Sequence, residues 1–268
     1  QRYYKDANPT IGDREYDRLK RELEELDAEL DPLGLFKQEN TSPDPGELVP
    51  GLPKVGDDRL EEFASHQHLV PMLSLDNTYD EAEFFEFDQR LRKLFDRSDL
   101  PYVVEPKIDG VAVSLTYENG ILKTAVTRGN GIEGDVITQN LMHVSFLPFD
   151  LSTYSGLPDI LEIRGEIYMS HDEFIRLNDL REQDGLPLYA NPRNLAAGTV
   201  KLLDPKEAST RKLELVLYGM GACIPETCFE TQSEFHRSIR KWKLPTVEYL
   251  KFVPSAAEAW GAIQELDQ

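Results

Sequence analysis

The chain has 268 residues, 40% hydrophobic and 29% charged, which is enough to bury a core in one large domain or two smaller ones. Its 29 Lys and Arg face 49 Asp and Glu, a formal net charge of −20, so the polypeptide alone is expected to bind nucleic acid poorly. No apolar run reaches the roughly 18 residues of a membrane span, and two cysteines, Cys223 and Cys228, are too few for a disulfide scaffold. They predict a reducing compartment and buried or idle thiols. The start, Gln1-Arg2-Tyr3-Tyr4, has no initiator methionine and no apolar leader, and reads as trimmed.

Residues 12–30 predict a helix, because Tyr16, Leu19, Leu23, Leu26 and Leu30 recur at spacings that line one face. Pro9, Thr10 and Asp13 supply start signals, and Asp31-Pro32 with Gly34 stops it. Turn formers crowd residues 40–57, marking a linker between a small helical N-terminal subdomain (1–57) and a larger domain (58–268). A second helix is predicted over about 80–96, with Phe84, Phe87, Leu91, Leu94 and Phe95 inward.

Residues 102–170 read mostly as strand. Tyr102-Val103-Val104 and Val111–Tyr117 carry β-branched and aromatic residues, and the second run closes in a Glu118-Asn119-Gly120 hairpin signal. Ile160–Tyr168 alternates apolar with polar, as a half-buried strand does. Helices at about 171–183 and 230–242 bracket a strand over Leu213–Gly219, and a last helix covers about 255–266. Strands and helices without strict alternation predict an α+β fold with antiparallel sheets.

Lys107 lies in Glu105-Pro106-Lys107-Ile108-Asp109-Gly110, at a break between two largely buried strands, flanked by two carboxylates. Held against apolar walls, a lysine loses solvation of its charged form and its amine becomes a nucleophile. Taken alone, Lys-x-Asp-Gly equally describes a strand-end lysine paired with Asp109 beside a turn. Gly110 lets backbone or ligand approach.

This stretch resembles the nucleotidyl-transfer motif of DNA ligases and capping enzymes, whose lysine attacks the α-phosphate of a nucleotide. Asp13-Arg14-Glu15-Tyr16-Asp17, Met72–Asn77, Thr127-Arg128-Gly129, Glu162–Glu166 and Ala190–Asn194 occur in the order found in the NAD⁺-dependent DNA ligases of bacteria, and the chain resembles that family from near residue 3 to near 268. The resemblance implies a nucleotidyltransferase (ligase/capping-type) domain behind a small helical subdomain. It implies attack by Lys107 on the adenylyl phosphorus of NAD⁺, release of nicotinamide mononucleotide (NMN), and transfer of AMP to the 5′-phosphate of nicked double-stranded DNA. Mg²⁺ as cofactor, a monomer and a cytoplasmic, nucleoid location are implied too.

Matched positions give the expected roles. Asp109 orients Lys107 or helps hold Mg²⁺; Glu105 lies beside the adenine; Glu166 binds ribose hydroxyls. Arg128 contacts the nucleotide, Ser74 and Leu75 the adenosine half, and Tyr218 stacks on adenine. Tyr3, Tyr4, Asp13, Tyr16 and Asp17 form the NMN surface, and Arg193 and Lys201 face nucleic acid. Arg193, Lys201, Lys206, Arg211 and Lys212 also form a basic interval that can be read as a plain solvated surface. For most of these residues an ordinary structural role fits as well: a turn-capping carboxylate at Asp109, an outward strand residue paired with Arg164 at Glu166, core packing for the tyrosines.

The chain departs from the family at Asn130, where aspartate is usual, at Gly134-Asp135-Val136, where Gly-Glu-Asp is usual, and at Lys201, where arginine is usual. The family's Asp-Gly-Val-Val-Ile-Lys strand, its following lysine motif and its C-terminal domains do not occur before Gln268, so the nucleotidyltransferase domain is expected to be incomplete. A catalytically silent nucleotide-binding or interaction module is the alternative.

Overall fold

A computed structural model describes residues 18, 19, 22, 63–142, 147–226 and 228–266. Of the predicted first helix, Arg18, Leu19 and Glu22 are described and are helical, with Leu19 exposed; the rest of that helix and the 40–57 linker lie outside the described residues. The elements are β1 (Ser65–Gln67), α1 (Glu81–Phe95), β2 (Tyr102–Val104), β3 (Val111–Glu118), β4 (Ile121–Thr127), β5 (Glu133–Asp135), α2 (Thr138–Leu141) and β6 (Ile160–Tyr168). Then follow α3 (His171–Gln183), α4 (Pro192–Val200), α5 (Pro205–Ala208), β7 (Glu214–Ile224), α6 (Gln232–Lys241), β8 (Lys251–Val253) and α7 (Ala256–Leu266).

The centre is an antiparallel sheet in the order β4-β3-β6-β7, so the expected α+β architecture holds. Asn119 and Gly120, at φ of 50° and 81°, make the two-residue turn that joins β3 to β4; both central residues need positive φ, which is why Asn-Gly stands there. Period-two alternation sends Val113, Leu115 and Tyr117, Leu161, Ile163 and Ile167, and Leu215 and Leu217 into one core. Leu195, Ala196 and Val200 of α4, Phe235 and Ile239 of α6, and Trp242 close that face. The opposite face carries Ser114, Thr116, Glu162, Arg164 and Glu166 beside Ala112, Val126 and Val216.

A second core holds the strand that leads to Lys107. There β2 pairs antiparallel with β8, and Phe84, Val104, Val253, Ala256, Ala259 and Ala262 pack together, with Trp260 stacked on Phe84 at 5.7 Å. Phe84 and Phe85 are the only side chains of α1 in that cluster, so its last turn runs past the apolar surface. Leu94 and Phe95, expected inward, are therefore exposed.

Two further expectations are corrected. Cys223 and Cys228 are not idle thiols: the turn after β7 brings Cys228 back onto the buried Cys223, and the two are joined as a disulfide. The strand expected to stop at Gly219 continues to Ile224, because Cys223 and Ile224 still pair with Leu161 and Ile160. Within the longer strand Gly221 makes room for the buried carboxyl group of Glu162.

Candidate active site

Val104 ends β2 in the second core, and residues 105–110 carry the chain across to β3. The crossing is tight. A Cβ on Gly110 would collide with the backbone carbonyl of Ile167 and lie 3.1 Å from Cγ of Glu166, so glycine lets the turn lie directly on β6. Lys107 and Asp109 are thereby brought to Glu166, whose carboxyl group feels the charges of Lys107, Arg193, Asp109 and Arg128. Lys107 itself is exposed, not held between apolar walls as expected, because the turn sets it by the carboxyl group of Glu166 on the polar face of the sheet. Asp109 is also largely exposed and pairs with Nη1 of Arg193 at 3.2 Å. Arg193 reaches it from the first turn of α4, which starts where Asn191 caps the N–H of Asn194 and Pro192 presets the helical φ.

The polar face of the sheet forms the floor. Strand register sets Ala112 opposite Glu166, Ser114 opposite Arg164 and Thr116 opposite Glu162, so three charged side chains of β6 share one face. On β7 a register shift opposite Arg164 and Gly165 leaves Tyr218 as the extra residue between Leu217 and Gly219. This bulge lets Tyr218 share the floor while Leu217 stays in the core, and the Tyr218 hydroxyl lies 3.4 Å from Oε2 of Glu166. Desolvation pushes the carboxyl group of Glu166 up to about 7, against the opposing pull of Lys107 and Arg193, and pushes the Tyr218 phenol up as well.

Glu162 is a residue the sequence reading passed over. It is 1% exposed, accepts from the hydroxyl of Ser114 at 2.7 Å and the N–H of Ala222 at 3.2 Å, and lies 3.7 Å from Nη2 of Arg164. Arg164 thus stands against Glu162, not in the pair with Glu166 that was the ordinary structural alternative for that residue. Its Nη2 also donates to the carbonyl of Val70 at 2.6 Å. The signal was present in Glu162-Ile163-Arg164-Gly165-Glu166, where alternation alone puts three charges on one strand face.

Arg128 opens a loop over one end of this floor. Gly129 and Gly131 take φ of 57° and 91°, and Oδ1 of Asn130 accepts from the N–H groups of Ile132 and Glu133, both at 3.0 Å. Asn130 therefore makes the turn bonds that an aspartate could make. Residues 64–72 are strapped across this loop: β1 pairs with β5, the N–H of Met72 donates to Gly131 at 2.7 Å, and Nε2 of His68 lies 3.0 Å from the Arg128 carbonyl. Met72 is buried, but Leu75, three residues on, is 75% exposed and Ser74 half-buried, on an irregular segment before α1.

Glu105 closes the other end. It is half-buried, desolvation pushes it up to about 7, and its Oε2 lies 3.5 Å from Nε2 of His236 on α6. Lys201 does not face outward as expected for a nucleic-acid contact. Its amine lies 3.1 Å from the fully buried Asp135, turned inward because the C-terminal end of α4 meets β5 there. Arg211 of the same basic interval is likewise engaged, with Glu207 at 3.3 Å and Thr199 at 3.1 Å. Tyr3, Tyr4, Asp13, Tyr16 and Asp17 lie outside the described residues. Among the described residues no cluster of three or more His, Cys, Asp or Glu forms a metal cage, and no helix is long and apolar enough to cross a membrane.

The family model described as NAD-dependent DNA ligase adenylation domain matches residues 60–268, and that of the DNA ligase-like N-terminal NAD+-binding domain matches residues 1–34. The chain belongs to the NAD-dependent DNA ligase family. It is 51% identical over 268 residues to DNA ligase 1 of Opitutus terrae, covering 99% of this chain and 38% of that protein. DNA ligase of Methylacidiphilum infernorum is 40% identical over 266 residues, 99% of this chain and 37% of the relative. DNA ligase of Thermotoga maritima is 45% identical over 219 residues, 81% of this chain and 29% of the relative. The chain thus spans less than two fifths of the length of these relatives, as the adenylation region of a DNA ligase with its N-terminal NAD⁺-binding segment.

Proposed function

We propose that Lys107 takes AMP from NAD⁺. Its amine nitrogen bonds to the adenylyl phosphorus, the bond from that phosphorus to the bridging oxygen breaks, and NMN leaves with its phosphate. The amine proton goes to the solvent that already surrounds the exposed side chain. The observation that carries this reading is the Gly110 crossing, which lays Lys107 and Asp109 beside Glu166 on the face that also bears Tyr218.

On this reading Glu166 accepts from the ribose hydroxyls, Tyr218 lies against the adenine, Glu105 stands at the edge of the base, and the guanidinium of Arg128 meets phosphate or ribose oxygens. Ser74 and Leu75 cover the adenosine half from the exposed segment before α1. Tyr3, Tyr4, Asp13, Tyr16 and Asp17 hold the NMN half in line with Lys107, which lowers the barrier by positioning. Asp109 orients Lys107. It is also the donor that would share a Mg²⁺ ion with the nucleotide phosphates, since such ions are held by one or two carboxylates plus phosphate oxygens. Bound there, the ion would offset charge on those oxygens.

In the longer protein the AMP passes to the 5′-phosphate of nicked duplex DNA, with Arg193 near the nick; the inward pair with Asp135 leaves Lys201 a supporting role. The silent-module alternative loses one support, because Asn130 keeps the turn bonds of the Arg128 loop.

The test is intact-mass spectrometry of the full-length ligase carrying this chain after incubation with NAD⁺ and Mg²⁺. One AMP adduct is expected in the wild type and none in Lys107→Ala; an unchanged adduct in the mutant overturns the assignment. Deleting residues 1–57 should abolish the adduct from NAD⁺ while sparing sealing of a pre-adenylated nick.

A further inference from the structure

His236 is 1% exposed on α6, yet it faces the site rather than the core alone: its Nε2 lies 3.5 Å from Oε2 of Glu105. One turn earlier on the same helix, Gln232 places its amide nitrogen 3.1 Å from that Nε2 and 2.6 Å from the carbonyl oxygen of Tyr218. The Tyr218 hydroxyl in turn meets Glu166 at 3.4 Å. A set of polar contacts therefore runs from Glu105 on the crossing turn through His236 and Gln232 of α6 and Tyr218 of β7 to Glu166 of β6.

The chemistry of each atom fixes its part. A carbonyl only accepts, so the amide group of Gln232 donates to Tyr218, and its second N–H is directed at His236. With Gln232 donating, Nε2 of His236 is the acceptor and the proton is assigned to Nδ1, a buried nitrogen that makes no hydrogen bond among the described residues. Burial keeps this ring below its usual range and so neutral. Oε2 of Glu105 is buried and makes no hydrogen bond among the described residues, with that accepting nitrogen 3.5 Å away. A buried acceptor with no donor is costly, and a ligand edge bearing N–H groups relieves it. Once the carboxyl group is ionised, above about pH 7, a keto oxygen at the same edge sets lone pair against lone pair, so the comparison is made at pH 8.

We propose that His236 and Gln232 are a positioning pair that aims the carboxyl group of Glu105 at the amino edge of the purine and makes the site select a 6-amino over a 6-oxo base. This rests on the reading that Glu105 stands beside the base of NAD⁺. Neither residue touches the reacting atoms. His236 blocks the Glu105 carboxyl group from turning toward α6, and Gln232 fixes the ring to the strand that carries Tyr218.

The experiment compares NAD⁺ with its hypoxanthine analogue as adenylyl donor to the full-length ligase, following the Lys107 adduct. His236→Leu keeps the buried volume and removes the polar edge; His236→Gln restores one. The wild type should prefer NAD⁺, and His236→Leu should lose about tenfold of that preference, the scale of one neutral hydrogen bond. The loss should fall on KM for NAD⁺ with kcat unchanged, and His236→Gln should regain most of it. Should His236→Leu fail to fold, Gln232→Ala, on an exposed residue, carries the same comparison. An adduct with unchanged base preference in the folded variants overturns the inference alone. Absence of any adduct in the wild type overturns the functional reading and this inference with it.

Discussion

The amine of Lys201 lies 3.1 Å from Oδ2 of Asp135, and the two side chains are only 10% and 0% exposed. The pair ties the C-terminal end of α4 to the strand that follows the Arg128 loop, and so supports the site from below. It also places a positive charge of the basic interval where duplex DNA cannot reach it.

Removing one partner of a buried ion pair is typically destabilising, by up to about 3–5 kcal/mol. Lys201→Met should therefore lower the denaturant midpoint strongly, and adding Asp135→Asn to it should recover much of the loss. A Lys201→Met protein of unchanged stability but weakened DNA affinity would restore the outward role.

Much of the fold was legible because its signals are local. Asn119-Gly120 requires positive φ and gave the hairpin, and the alternation over Ile160–Tyr168 gave β6 with both its ends. The motif around Lys107 located the turn, and Gly110 marked the close approach. What stayed hidden depends on partners distant in sequence. The three-residue strands β1, β5 and β8 exist only through pairing and carry too few residues for a period to show. The exposure of Lys107 and the burial of Lys201 are decided by which element lies opposite, which no spacing within one segment encodes. His236 fell to the same limit: on a helix with Phe235 and Ile239 it reads as core, and only the crossing of Glu105 brings a carboxyl group to it.

Glycines divide by what surrounds them. Gly221 is packed so that a Cβ would lie 2.5 Å from the carboxyl carbon of Glu162, whereas Gly198 in α4 and Gly261 in α7 meet nothing within 4 Å. Gly198→Ala and Gly261→Ala should each raise stability by about 0.5–1 kcal/mol through helix propensity and a less flexible unfolded chain. Gly221→Ala should lower it and disturb the Ser114–Glu162 bond. Thermal unfolding of the three variants side by side checks the ordering.

Asn130 is 8% exposed, and its side-chain oxygen accepts two backbone N–H groups. Asn130→Asp keeps both bonds and should stay within about 1 kcal/mol of the wild type, whereas Asn130→Ala leaves two donors short and should lose about 2 kcal/mol. Equal stability of all three proteins in urea titrations would show that the Arg128 loop does not depend on this side chain.

The last prediction concerns pH. Burial raises Glu166 from 4.5 to about 7, so between those values the folded state holds a proton that the unfolded chain has released. Stability then falls as pH rises through this window, because the native state binds more protons than the unfolded one. For a shift of this size the loss is on the order of 2–3 kcal/mol, complete above the folded value and absent below the unfolded one. Glu105 is raised in the same direction and adds a smaller loss, since more of it meets solvent. Glu166→Gln should therefore be more stable than the wild type at pH 8 and no more stable at pH 5, with a residual slope left by Glu105. Urea titrations of both proteins at the two pH values decide it. A constant difference between them would place the Glu166 carboxyl group in water rather than on the floor of the site.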